Sequence, residues 1–220
     1  LAGCAQPRVA PLGDRPGSAD LAGEFFLTTD GLALPLRRWP PSPAGNAPAA
    51  APSAIILALH GFNDYSGAFR EAGPKLAAAG LAVYAYDQRG FGGAPHQGLW
   101  PGKAPLRRDA IAFARLLQAR HPGTPLYFLG LSMGGAVAMT ALSEEPDLAA
   151  GAILVAPAVR GRASLPAWQR WGIDLAAVTI PWYPATGDGL DIQPTDNIAE
   201  LRRMSRDPNV IKATRMDSLY

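Results

Sequence analysis

The sequence predicts an α/β protein built on a doubly wound, mostly parallel sheet. Four short apolar runs carry the expectation: residues 54–60 (AIILALH), 81–87 (LAVYAYD), 126–131 (LYFLGL) and 151–159 (GAILVAPAV). None alternates apolar with polar, which is how strands covered on both faces read. Helix-like segments lie between them, and alternating β and α elements stack by right-handed crossovers into such a sheet. A chain of 220 residues, 48% of them hydrophobic, is long enough to bury one sizeable core. Any site is expected at the carboxyl ends of the strands.

Taken in order, the first 22 residues hold a Pro- and Gly-rich polar stretch that reads as a flexible tether. The folded part starts near Gly23. Residues 24–29 and 32–39 are β-like and split by Asp30-Gly31, a tight-turn dipeptide. Residues 40–53 are dominated by Pro and Ala and read as a connecting loop. Helices are predicted over 66–79, stopped by Gly80, over 106–120, and over 134–143. Residues 23–160 thus form the core. From Gly161 the rhythm breaks: Trp168, Trp171, Leu175 and Val178 recur at helical spacing, and 198–205 is again helix-like. No strand is expected after the fourth apolar run, so residues 161–220 are read as a lid, or cap, over the sheet.

Composition narrows the function classes. The charged fraction is 17% and the formal net charge +2, so no strong field favours nucleic acid or an acidic membrane. No uninterrupted apolar stretch is long enough to span a bilayer. The single cysteine, Cys4, excludes an internal disulfide and a thiolate-rich metal site. Only three histidines occur: His60, His96 and His121.

Gly130-Leu131-Ser132-Met133-Gly134-Gly135 matches the nucleophile elbow G-x-S-x-G, with an apolar strand before it and a helix after it. Ser132 is therefore the candidate nucleophile. Gly130 and Gly134 leave room for the backbone at the turn, and Gly135 lets the helix pack closely. His60-Gly61-Phe62 follows the first buried strand, where such folds place one oxyanion donor. The residue after the nucleophile gives the other, so the backbone N–H groups of Phe62 and Met133 are the candidate oxyanion hole. His60 reads as a brace for that loop, and His96 and His121 as exposed loop residues. Asp87 and Arg89 read as an ion-paired brace.

HGFNDYSGAF, YDQRGFG and GLSMGG, on successive strands, resemble the monoacylglycerol lipase and lysophospholipase branch of the α/β-hydrolases, also described as serine aminopeptidase-like. The likeness runs from about Gly23 to Tyr220, including DIQPTDN and RMSRDPNVIKATRMDSLY in the lid. Two departures stand out. The loop reads HGF rather than HGxG, and Phe91 stands where many relatives carry His. The resemblance implies an α/β-hydrolase fold and acyl transfer to water through Ser132, with no metal or organic cofactor. It implies lipid-like ester substrates, and a triad Asp and His on later strands that this chain does not contain. Residues 1–220 alone are accordingly expected to be inactive. A peptidase or amidase of the same branch is the runner-up, and a non-catalytic, membrane-tethered binding protein the rival of another class.

Leu1-Ala2-Gly3-Cys4 resembles the lipobox of bacterial lipoproteins, in which the cysteine is lipidated. It implies a lipid anchor at Cys4 in a bacterial envelope, the outer membrane where one exists. The alternative is a cytoplasmic protein.

Overall fold

The computed structural model describes residues 7–42, 51–159, 165–186 and 195–218. Its centre is a seven-stranded sheet in the order β1-β2-β3-β5-β4-β6-β7. Strands β4 (Ala54–Leu59), β5 (Leu81–Tyr86), β6 (Leu126–Leu131) and β7 (Gly151–Val155) are parallel and coincide with the four apolar runs. β4 lies between β5 and β6 and is buried along its whole length, as its unbroken Ala-Ile-Ile-Leu-Ala-Leu requires. β7 differs. It pairs with β6 on one side, and among the described residues no strand pairs with its other edge. Ile153, Leu154 and Val155 are 51%, 38% and 45% exposed, although they read as core.

β1 (Asp20–Ala22), β2 (Phe25–Leu27) and β3 (Ala33–Trp39) add an antiparallel flank that joins the parallel strands through β3 and β5. The turn at Asp30-Gly31 forms with Gly31 at φ 85°. It is closed by Gly31 N–H donating to Thr28 O and Thr28 N–H to Leu32 O, both 2.9 Å. The expected tether is corrected here. β1 begins inside it, the Gly17 N–H donates to Thr29 O and the Ala10 N–H to Trp100 O, and Ala10 is buried. These residues are laid along the fold because backbone bonds and an apolar contact hold them.

Helices α2 (Lys103–Arg120) and α3 (Met133–Glu144) stand where expected. Leu106, Ala110, Phe113 and Leu117 of α2 are fully buried, and the Phe113 ring stacks on Phe26 of β2 at 4.4 Å. The helix expected over 66–79 is instead a 3₁₀ turn, Ser66–Phe69, followed by α1 (Ala72–Ala78). Pro74 explains the break: its ring clashes with the carbonyl four residues back and it has no N–H to give, so it fits only a first helical turn. Gly80, at φ 85°, ends α1 as predicted.

The cap contains α4 (Ala167–Thr179) and α5 (Ile198–Arg206), both near their expected places. It also contains a two-stranded antiparallel sheet, β8 (Pro184–Thr186) with β9 (Ala213–Arg215), which contradicts the expectation of no further strand. Three residues each, with a proline in one, are too few to show an alternation. Trp168 and Trp171 of α4 are 73% and 77% exposed. No described helix is long and apolar enough to cross a membrane.

Candidate active site

Ser132 sits at the carboxyl end of β6 and is the N-cap of α3, with φ 50° and ψ −112°. That region costs any residue with a Cβ of order 1–3 kcal/mol, and the surroundings must impose it. Here they do. A Cβ on Gly134 would lie 2.0 Å from Leu59 O, and one on Gly130 would lie 2.5 Å from the Gly135 Cα. The strand, turn and helix therefore close on one another only with glycine at both places. The Ser132 carbonyl accepts from Gly135, Ala136 and Ala158 N–H. Ala158 belongs to the segment after β7, whose Pro157 packs on Gly135. That support from residues 156–158 has no signal in the sequence, because it depends on β7 lying beside β6.

The two candidate oxyanion donors come from different elements. Met133 is the first residue of α3, where an N–H has no intrahelical acceptor and the helix dipole favours negative charge. Phe62 lies in the loop after β4, and Gly61 before it faces Ser132: a Cβ there would be 3.5 Å from the Ser132 Cβ. Neither amide donates to another described residue. The orientation of the Phe62 N–H has a visible cause. In a trans peptide it points opposite to the carbonyl of Gly61. That carbonyl accepts from His60 Nδ1 at 2.8 Å and from Asp64 N–H at 3.3 Å.

His60 is thus fully committed to the loop. The Gln88 N–H donates to its Nε2 at 2.9 Å, so the proton is on Nδ1 and is given to Gly61 O. Burial pushes the His60 pKa down, which keeps the ring neutral. Both ring nitrogens are occupied, and the side chain is fully buried. His96 is exposed in the loop between β5 and α2. His121 was expected to be exposed, but it is half-buried at the end of α2, within 2.9 Å of the Tyr84 hydroxyl. Burial, with Arg120 nearby, lowers its pKa. None of the three imidazoles hydrogen-bonds the Ser132 hydroxyl.

The Asp87–Arg89 pair is also corrected. Asp87 does not meet Arg89; it accepts from the Ser66 and Gly93 N–H groups at 2.9 and 2.8 Å, tying the loop after β5 to the 3₁₀ turn. Arg89 instead forks onto Asp109 of α2 and Asp30 of the hairpin, with all four contacts between 2.5 and 2.7 Å. Asp30 and Asp109 carry this bracing unnoticed, since their partner is 59 and 20 residues away. Burial alone would raise the Asp30 carboxyl, but Arg89, Thr28 and the Gly13 N–H bring it well below the usual range. Phe91 is buried edge-on to His60 and Phe62, at 5.8 and 5.4 Å. It serves as a wall for the loop that carries the candidate oxyanion donor Phe62.

A serine lifted from a strained strand–helix turn over a mostly parallel sheet defines an α/β hydrolase. Solved structures share the fold: a soluble variant of the monoglyceride lipase of Saccharomyces cerevisiae superposes with a TM-score of 0.66 at 20% identity, covering 97% of this chain and 67% of its own. The Paleococcus ferrophilus monoacylglycerol lipase gives 0.62 at 18%, covering 84% and 67%. Residues 50–220 match the family model described as serine aminopeptidase, S33, and the chain belongs to that family. Human monoglyceride lipase is 31% identical over 135 residues, 61% of this chain and 42% of its own length. The monoacylglycerol lipase of Mycolicibacterium smegmatis is 26% identical over 175 residues, 76% and 56%. The chain therefore spans about half the length of these curated relatives. Cys4 lies outside the described residues.

Proposed function

We propose that the protein is a serine hydrolase that cleaves carboxylic esters of lipid-like substrates, of monoacylglycerol or lysophospholipid type, through an acyl-enzyme on Ser132. The observation that carries this is Ser132 itself: a strained N-cap at φ 50°, with two amides on neighbouring elements that donate to no described residue. The likeness to monoglyceride lipases supports the substrate class. In the reaction Ser132 Oγ adds to the ester carbonyl, whose π electrons move to its oxygen. The Phe62 and Met133 amides hold that oxyanion, and one such donor is worth about 10²–10³ in rate. Collapse expels the alcohol, and water then cleaves the acyl-serine. No described group takes the serine proton; in this reading the acid and base of the triad belong to the later strands that the family resemblance implies.

A fluorophosphonate probe is expected to label the full-length protein and to leave Ser132→Ala unlabelled. Labelling that survives the substitution overturns the assignment. Residues 1–220 alone are expected to give no Ser132-dependent hydrolysis of a p-nitrophenyl ester; such hydrolysis, lost in His60→Ala, would make His60 the base. The description of the matching family favours an amidase as second reading. Faster release from an aminoacyl p-nitroanilide than from a monoacylglycerol would select it. Absence of both activities in the full-length form would select a binding protein. We further propose that Cys4 is lipidated and tethers the protein to a bacterial envelope membrane. Equal solubility of wild type and Cys4→Ser on fractionation, with no lipid mass on Cys4, would refute this.

A further inference from the structure

We infer that Asn63 is a positioning residue: by bonding Thr214 in the cap it locks the turn that aims the Phe62 amide at the oxyanion. The inference rests on the proposed role of Ser132 and Phe62.

Residues 61–64 form a turn closed by Asp64 N–H on Gly61 O, and Asn63 occupies its third position at φ 62°. Turns with positive φ at that position ordinarily take Gly, or Asn. Glycine would satisfy the backbone and no more. Asn63 adds a carboxamide, whose Nδ2 donates to Thr214 Oγ1 of β9 at 2.6 Å. The Asn63 backbone carbonyl accepts from Ile211 N–H at 2.9 Å. Both partners come from one cap segment, about 150 residues later in the chain.

The turn sets the oxyanion donor through one peptide plane. If Asn63 leaves the left-handed region, the Asp64 N–H leaves Gly61 O, and only His60 still holds the carbonyl that opposes the Phe62 N–H. A flexible left-handed turn can flip its peptide, and a residue held from both its backbone and its side chain resists this. The same cap segment also holds the loop against which the Phe62 ring packs. That ring meets Trp100 at 6.0 Å, and Ser218 Oγ donates to Gly98 O in the Trp100 loop at 3.0 Å. The cap thereby enters the chemistry through the rigidity of a donor, in addition to any contact with substrate.

In the full-length protein, Asn63→Gly keeps the positive φ and deletes the pin, while Thr214→Val keeps the shape and deletes the acceptor. Each is expected to lower kcat on p-nitrophenyl butyrate about tenfold with KM unchanged, as loss of an interaction expressed in the transition state does. The double variant should be no slower than either single, and Thr214→Ser should restore wild-type kcat. Melting curves fix an assay temperature at which every variant is folded. Unchanged kcat in both singles, losses that multiply in the double, or a rise confined to KM overturns the inference. Ser132→Ala is run beside them. Ser132-independent hydrolysis defeats the functional reading and the pin together, whereas Ser132-dependent hydrolysis indifferent to both substitutions defeats the pin alone.

Discussion

Arg89 shows how a single side chain can brace a loop through partners far away in the sequence. Its guanidinium is 4% exposed and meets two carboxylates, one of them, on Asp109, 2% exposed. Removing the cation alone leaves a buried negative charge without its partner, which costs about 3–5 kcal/mol, far more than the pair contributes over an apolar replacement. Arg89→Met is therefore expected to lower the urea midpoint sharply, and adding Asp109→Leu to recover much of the loss. A single variant as stable as wild type would show that the fork holds nothing. The tight strand–helix turn at Ser132 could be read from the sequence because its evidence is local: six contiguous residues between a strand and a helix. Arg89 could not, because Asp87 is the nearer acid in sequence while the fold brings Asp30 and Asp109 to it.

At the scale of elements, α5 is held to the core by charge. Asn197 caps it, its Oδ1 accepting from the Glu200 N–H. Glu200 pairs with Arg203 on its own helix and with Arg70 beyond the 3₁₀ turn, and Asp207 accepts from the Tyr65 hydroxyl at 2.7 Å and from Arg203 at 2.6 Å. The Arg203 hydrogen bond, working against burial and joined by Arg70, holds the Glu200 carboxyl down to about 2 against an ordinary 4.5. A depressed acid contributes stability above its unfolded value, and that contribution is lost as pH falls through the folded one. The melting difference between wild type and Glu200→Gln should thus be full at neutral pH, shrink below 4.5 and vanish near 2. A difference as large at pH 3 as at pH 7 would contradict it. The helix itself was legible from its spacing. Its partners were not, since an amphipathic pattern names a face and leaves the opposing residue open. The break before α1 was legible in principle, because Pro74 forbids a continuous helix over 66–79.

Across the whole molecule, the buried strand runs located the sheet, and the elbow located the edge where a site belongs. What the pattern could not supply was closure. β7 read as a two-faced core strand from its composition, yet its outer residues are half exposed because no described strand lies beyond it. The amino-terminal stretch shows the opposite error: polar and rich in Pro and Gly, it read as free chain, but it is stitched down by backbone bonds that composition does not encode. Its first described link is the Arg8 N–H to Asp217 Oδ2 at 3.0 Å, followed by Ala10 on Trp100.

If Cys4 carries the proposed lipid, that stitching shortens its leash. Three residues separate Cys4 from Arg8, four steps that reach about 14 Å at full extension, where a free segment to Asp20 would allow roughly four times as much. The point of attachment is Asp217 in the segment that also bonds Asn63, so an acyl anchor on Cys4 would hold that segment near the bilayer. The gain is one of effective concentration, which falls as a linker lengthens past the span it must bridge. In lipidated full-length protein, a long Gly-Ser insertion between Cys4 and Arg8 should slow hydrolysis of monoacylglycerol embedded in vesicles and leave that of a water-soluble p-nitrophenyl ester unchanged. Equal slowing of both substrates, or of neither, would mean that the short leash does not present the enzyme to its lipid.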